Sequence, residues 1–219
     1  MKHAKKTSNG IFITLEGCEG SGKTTHSDIL ANYLKNSGYP VVRTREPGGT
    51  AFAESLRKLL LDPKSKISPL TELFLYEAAR AQHITDIIIP SLEKGRVILC
   101  DRFTDATLAY QGYGRGLDKQ MIELLNKIAS RGIKPSLTIY LDISAGAGLK
   151  KARKLKKGTD RLELEALSFH KRVRKGYLAL ARREPKRIKI VKVQKSVGGT
   201  AKLVAREVEK RLITWHSKI

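Results

Sequence analysis

Eight consecutive residues constrain this chain more than any other feature: Gly17-Cys18-Glu19-Gly20-Ser21-Gly22-Lys23-Thr24. They satisfy G-x-x-x-x-G-K-[ST], follow the apolar β-branched run Ile11–Leu15 and open a helical pattern. The glycines let the backbone turn its N–H groups inward around a phosphate. Lys23 supplies a point charge to the β and γ phosphates of a nucleoside triphosphate, and Thr24 offers a hydroxyl to Mg²⁺. The helix that starts near Lys23 and runs on through Thr25 aims the positive end of its dipole at the same anion. We therefore expect ATP binding at Gly17, Cys18, Glu19, Gly20, Ser21, Gly22, Lys23, Thr24 and Thr25.

Such a loop belongs to an α/β fold. Four further short apolar runs, Val41–Thr44, Val97–Cys100, Leu137–Leu141 and Ile188–Val193, read as buried strands. Helical patterns separate them. Ile29, Tyr33 and Leu34 mark one face, and Leu56, Leu59 and Leu60 another. Ala166, Phe169, Val173, Tyr177 and Leu180 step by three and four, as do Val204, Val208, Leu212 and Trp215. The expectation is a P-loop NTPase with a five-stranded parallel sheet, helices on both faces, and ligands at the carboxyl ends of the strands. The chain's 219 residues fit one domain, 10–219, behind a loose basic tail, 1–9. No apolar run is long enough to span a membrane, and no apolar signal core follows the basic start, so a cytoplasmic protein is expected. Cys18 and Cys100 make neither a disulfide framework nor a metal set. They end or follow neighbouring strands, which leaves open joint oxidation beside the plainer reading of two buried thiols.

An acid at the end of another buried strand is the expected second metal anchor, and Val97-Ile98-Leu99-Cys100-Asp101 supplies one. Asp101 reads as a Mg²⁺ ligand through water, or alternatively as a helix cap. After the second strand comes Arg45-Glu46-Pro47-Gly48-Gly49-Thr50. Asp101 itself opens Asp101-Arg102-Phe103, and Ala109-Tyr110-Gln111-Gly112 follows. In this combination and order the chain resembles the bacterial thymidylate kinases, from about Phe12 to its C-terminus.

That resemblance implies transfer of the γ-phosphate of ATP to thymidine 5′-monophosphate, with Mg²⁺, in a homodimer with no specific nucleic-acid partner. It implies that Arg102 clamps the acceptor phosphate, a task for which a guanidinium fork suits paired oxygens. Arg45, Glu46 and Pro47 line the same pocket, with Glu46 near the metal or the sugar. Tyr76 stacks on thymine, Arg80 reaches its O4, Thr107 and Gln111 meet the base edge, and Tyr110 crowds the 2′ position. Ala106 stands where relatives often carry Ser. The acceptor is a phosphate with a second pKa of about 6, so no general base is needed. Alignment and positive charge must do the work, with Lys23 and Arg102 as catalytic cations.

The P-loop carries no Arg, and the resemblance then implies the kind of thymidylate kinase that takes further cations from a mobile lid, here expected at 150–161 with Gly158 as hinge. Arg153 and Arg161 are the preferred ones, with Lys156 and Lys157 close behind. Glu19, an acid beside the triphosphate, is expected to meet a lid cation in the closed state. Arg115 reads as a loop charge or a site residue.

Two rivals stand at this stage. A deoxynucleoside kinase could use Glu46 as base for a 5′-hydroxyl. A nucleic-acid-binding ATPase would explain the formal charge of +22. Between Lys150 and Lys192 lie 17 Lys/Arg against 4 Asp/Glu, yet that stretch is thin in the aromatics that stack on bases.

Overall fold

The computed structural model describes residues 10–155 and 160–216. The expected tail 1–9 and the lid residues Lys156, Lys157 and Gly158 lie outside them. The strands are β1 (Ile11–Glu16), β2 (Val41–Arg45), β3 (Val97–Asp101), β4 (Leu137–Asp142) and β5 (Ile188–Lys192). The β-branched and leucine-rich runs of the inner strands suit a sheet covered on both sides, and every residue of β1 is buried. The strands β2 and β5 lie at the edges and are not the buried strands expected: β2 has no buried residue, and Ile190 of β5 is exposed. All pairings are parallel, in the order β2-β3-β1-β4-β5. Five strands and their parallel order match the sequence reading, and each run ends within one residue of its expected limit.

Around the sheet run α1 (Lys23–Asn36), α2 (Ala51–Leu61), α3 (Pro69–His83), α4 (Ile89–Glu93), α5 (Thr104–Thr107), α6 (Lys119–Ala129), α7 (Ala145–Leu155), α8 (Leu167–Arg183) and α9 (Val197–His216). Val204, Val208 and Leu212 of α9 pack with Leu30 and Leu34 of α1 over one side of the sheet. Phe169, Val173, Tyr177 and Leu180 of α8 join Leu73 and Tyr140 in a second cluster. Both helix stripes follow the expected spacing.

Two faces differ from expectation. On α1, Ile29 and Tyr33 are exposed, and Leu30, Ala31 and Leu34 are buried. The two periodic sets lie one residue apart, and only packing against the sheet chooses between them. On α2, Leu59 is exposed and Leu60 buried, for the same reason. Periodicity also gives no hint of two π-helical turns, Ile84–Ile88 and Leu108–Gly114. The first leads into Pro90, which has no N–H to donate back. The second carries Tyr110 and Gln111, and such turns often sit at functional sites.

What matters for function is the level at which the strands end. Leu15 of β1 and Arg45 of β2 both pair in register with Asp101 of β3. The three loops that follow these strands therefore emerge side by side, near the point where the chain switches from one half of the sheet to the other.

Candidate active site

The loop after β1 wraps tightly because two of its glycines adopt left-handed conformations that residues with side chains rarely take. Gly20 has φ +68°, and a Cβ there would stand 2.0 Å from the carbonyl oxygen of Gly148 on α7. Gly22 has φ +86° and caps α1. P-loop and α7 thus pack backbone to backbone. Lys23 folds over the loop, its Nζ donating to the carbonyls of Gly17 at 3.0 Å and Cys18 at 3.2 Å. Those carbonyls hold the ammonium where a phosphate oxygen can replace them. Burial, then the charge of Arg102, lowers the Lys23 pKa.

Thr24 Oγ1 donates to Asp101 Oδ2 at 3.3 Å, across the β1–β3 junction. Asp101 Oδ1 is buried with no hydrogen-bond partner. A hydroxyl and an unpartnered carboxylate oxygen suit a hard cation that takes its remaining ligands from phosphates and water. Asp101 belongs to β3, and the residue capping α5 is Phe103, so the helix-cap alternative falls away.

These groups line a cleft of about 790 Å³. Glu19, Gly20, Gly22, Lys23, Thr24 and Thr25 form its floor. Arg45, Glu46, Pro47, Tyr76, Asp101 and Arg102 form the other side. Gly17, Cys18 and Ser21 contribute structure from beneath rather than lining. A smaller recess opens beside the cleft between Tyr76, Arg80, Thr107, Tyr110 and Gln111, and Glu46, Tyr76 and Arg102 line both spaces.

Arg102 sits at φ +71°, rare for a side chain of its size. Its N–H donates to the carbonyl of Leu15, and its guanidinium lies 4.7 Å from the Tyr110 ring centroid. Nη1 donates to Tyr177 Oη at 3.2 Å and Nη2 to Glu19 at 3.1 Å. Backbone strain at a cation shared by two pockets is the kind that functional sites retain.

The thymidylate kinase family model matches residues 15–204. The chain belongs to the thymidylate kinase family. It is 51 % identical over 204 residues to the thymidylate kinase of a Synechococcus strain (JA-2-3B'a(2-13)), covering 92 % of this chain and 96 % of that one. It is 51 % identical over 184 residues to that of Pelobacter propionicus, covering 81 % and 84 %. The crystal structure of thymidylate kinase from Ehrlichia chaffeensis superposes with a TM-score of 0.75 at 35 % identity, covering 92 % and 99 %. The resemblance read from the motifs is borne out, and with it the P-loop fold. The activity that goes with the family is ATP-dependent phosphorylation of thymidine monophosphate to the diphosphate.

Within this thymidylate kinase site several side chains take partners that the motifs do not announce. Arg80 is 2 % exposed, and its guanidinium donates to Glu46 at 2.9 Å, Glu77 at 2.8 Å, Asn126 at 2.6 Å and Thr107 at 2.8 Å. It forms the recess wall with its donors already engaged. Glu46 holds Arg80 with one oxygen and His83 with the other, at 2.9 Å each. Both of its oxygens are thus engaged in holding Arg80 and His83, so the base that a deoxynucleoside kinase needs is not free. Gln111 donates to Glu72 at 2.7 Å.

The lid expectation changes most. Residues 150–155 are the last turns of α7. Arg153 is exposed and lines neither space; Lys151 lines the cleft instead. Arg161 donates to the Leu60 carbonyl at 2.9 Å and to Glu72 at 2.5 Å. Arg115 is bound to the same Glu72 and to Glu165, which makes it structural rather than a loop charge. Arg161 here ties the segment before α8 to α3. Among the described residues Arg102, Tyr110 and His170 surround Glu19, and Lys156 and Lys157 of the expected lid lie outside those residues. Arg57, which lines the cleft and donates to the Pro47 carbonyl, was missed because one arginine on an amphipathic helix carries no signal. Cys18 and Cys100 are both free, buried thiols, and burial pushes Cys18 up to about 12.

Glu16, the last residue of β1, lies beneath Arg102. It accepts from the Phe103 N–H and from Tyr177 Oη–H, at 2.7 Å each. Burial first, then the nearby Asp105 charge, pushes its pKa from 4.5 up to about 8. A carboxyl raised by folding stabilises most below its unfolded pKa, and that contribution fades as pH climbs through the folded value. Stability should therefore fall between about pH 4.5 and 8 on account of this group. Denaturant titrations at a series of pH values should show a flatter decline for Glu16→Gln than for the wild type.

Proposed function

We propose that the cleft holds the triphosphate of ATP and the recess holds thymidine monophosphate, so that the two phosphate esters meet end to end at Arg102. The observation that carries this reading is Arg102's position in the walls of both spaces, beside a P-loop lysine and an unpartnered Asp101 oxygen. Lys23 leaves the Gly17 and Cys18 carbonyls and moves onto the β and γ phosphates. Thr24 and Asp101 are the residues that would hold Mg²⁺, which would supply charge neutralisation at the phosphates. The Arg102 fork aligns the acceptor phosphate for in-line attack. Tyr76 stacks on the base, while Thr107, Gln111 and Arg80 define its edge. Tyr110 narrows the space at the sugar. Lys151, Arg45 and Arg57 add positive charge around the cleft, and the basic residues 156–157 are further candidates for that role.

A coupled assay of ADP formation over a panel of nucleoside monophosphates and thymidine tests this. The expected result is fastest turnover with thymidine monophosphate and none with thymidine. Turnover with thymidine, or a preference for another base, contradicts the reading.

The substrates are also the reason to expect the enzyme in the cytoplasm; none of the described helices is long and apolar enough to cross a membrane. A second copy of the chain is the expected partner. Phe52 and Leu59 on α2 and Leu70 and Phe74 on α3 are all exposed, on two helices packed against each other. Apolar side chains spaced seven and four apart on neighbouring helices suit a buried interface. Light scattering should give twice the 24.4 kDa chain mass, and the double variant Phe52→Glu, Phe74→Glu should shift it to the single chain.

A further inference from the structure

His170 stands 151 positions along the chain from the P-loop acid it touches. It belongs to α8, is 1 % exposed, and lines neither the cleft nor the recess. Its Nδ1 lies 3.1 Å from Glu19 Oε2. Its Nε2 is buried with no partner. A histidine buried merely to fill space would leave nothing on the phosphate loop dependent on it. Here one ring nitrogen is committed to the single acidic residue of that loop.

The two Glu19 oxygens are served unequally. Oε1 accepts from Tyr110 Oη–H at 2.6 Å and from Arg102 Nη2–H at 3.1 Å. Oε2 meets His170. Burial alone would raise the Glu19 carboxyl. The His170 bond, the Arg102 and Lys23 charges and the Tyr110 bond overcome it and hold the group well below the usual carboxylate range. Glu19 is therefore an anion and an acceptor only, so Nδ1 carries the proton and donates. Tyr110 and Arg102 are both recess walls. Without the His170 donor, a buried anionic oxygen loses its partner. The carboxylate then rotates to share the donors at its other oxygen, and Tyr110 and Arg102 move with it.

We infer that His170 is a positioning residue for the acceptor nucleotide: by donating to Glu19 it sets the orientation of the P-loop carboxylate, and through it the places of Arg102 and Tyr110. This rests on the recess being the thymidine monophosphate site. The same stretch of chain supports the assignment from its other end, where Arg161 binds Glu72 and Glu72 in turn holds Gln111 of the recess. The Arg161 contact reaches the recess through Glu72 and Gln111, and the His170 contact reaches it through Glu19, Arg102 and Tyr110.

Asn and Gln separate position from polarity. Asn at 170 carries an amide N–H close to where Nδ1 stands, and Gln carries one near Nε2. Steady-state kinetics with ATP and thymidine monophosphate, alongside melting temperatures, should therefore be measured for the wild type, His170→Phe, His170→Asn and His170→Gln. We expect His170→Phe and His170→Gln to raise KM for thymidine monophosphate about tenfold, as befits one lost hydrogen bond to a charged group. KM for ATP should stay within about twofold, and His170→Asn should recover most of the loss. If His170→Phe does not fold, the Asn–Gln pair carries the comparison. Unchanged KM for thymidine monophosphate in His170→Gln overturns the inference. So does an equal rise in both KM values, or an Asn variant as impaired as Gln. Wild-type turnover with thymidine monophosphate is measured in the same experiment. Its failure would overturn the substrate reading, whereas failure of the variants to differ would overturn only the role of His170.

Discussion

Arg102→Ala should lower kcat/KM for thymidine monophosphate by about a thousandfold, roughly 4 kcal/mol of transition-state stabilisation. Two losses add. The acceptor phosphate loses its bidentate clamp, and the buried Glu19 carboxylate loses a cation 3.1 Å away. Removing one partner of a buried charge pair leaves the other uncompensated. Arg102→Lys should restore the charge but little of the rate, because an ammonium cannot reproduce a fork that spans Tyr177, Glu19 and a phosphate together. The φ of +71° adds a control. Arg102→Gly relieves the backbone strain and so should fold at least as well as Arg102→Ala while being equally inactive. Steady-state kinetics with melting temperatures separates these effects. An Arg102→Ala enzyme within tenfold of wild type would remove the residue from the acceptor site.

Lys23→Ala should lower kcat by about a hundredfold to a thousandfold, the usual cost of one oriented charge stabiliser. KM for thymidine monophosphate should move little, since Lys23 lies on the cleft floor and not in the recess. Without nucleotide the ammonium is tied to two loop carbonyls. The substitution therefore frees those carbonyls as well, and a modest loss of stability should accompany the loss of rate. A large KM change for the acceptor with kcat intact would contradict the division of the site into two spaces.

Much of the site is legible in the chain because its parts are consecutive. Gly17 to Thr24 carry the whole phosphate-loop pattern in one run, and Asp101-Arg102-Phe103 emerges beside them because β3 pairs with β1. The three inner strand runs are nearly all apolar, so their limits can be read closely, while the edge runs Val41–Thr44 and Ile188–Val193 are interrupted by Arg43, Lys189 and Lys192. What escapes is what depends on packing. The buried faces of α1 and α2 are displaced by one residue from the readings at Ile29, Tyr33 and Leu59, since each helix offers two apolar stripes and only the sheet chooses. Glu46 has no local mark that it will hold Arg80 and His83. Arg161 looks like a free cation among Lys and Arg, yet Glu72, 89 residues earlier, claims it. Lys151 gains its place in the cleft from the backbone contact between Gly20 and Gly148, which no spacing rule encodes.

The central claim is that one arginine links two pockets that hold phosphates in line. A crystal structure with a non-hydrolysable ATP analogue and thymidine monophosphate tests it most directly. The account predicts Lys23 on the β and γ phosphates, the Arg102 guanidinium bidentate on the acceptor phosphate, and the thymine ring against Tyr76. Thymidine monophosphate bound elsewhere, or an Arg102 side chain turned away from it, would contradict the account.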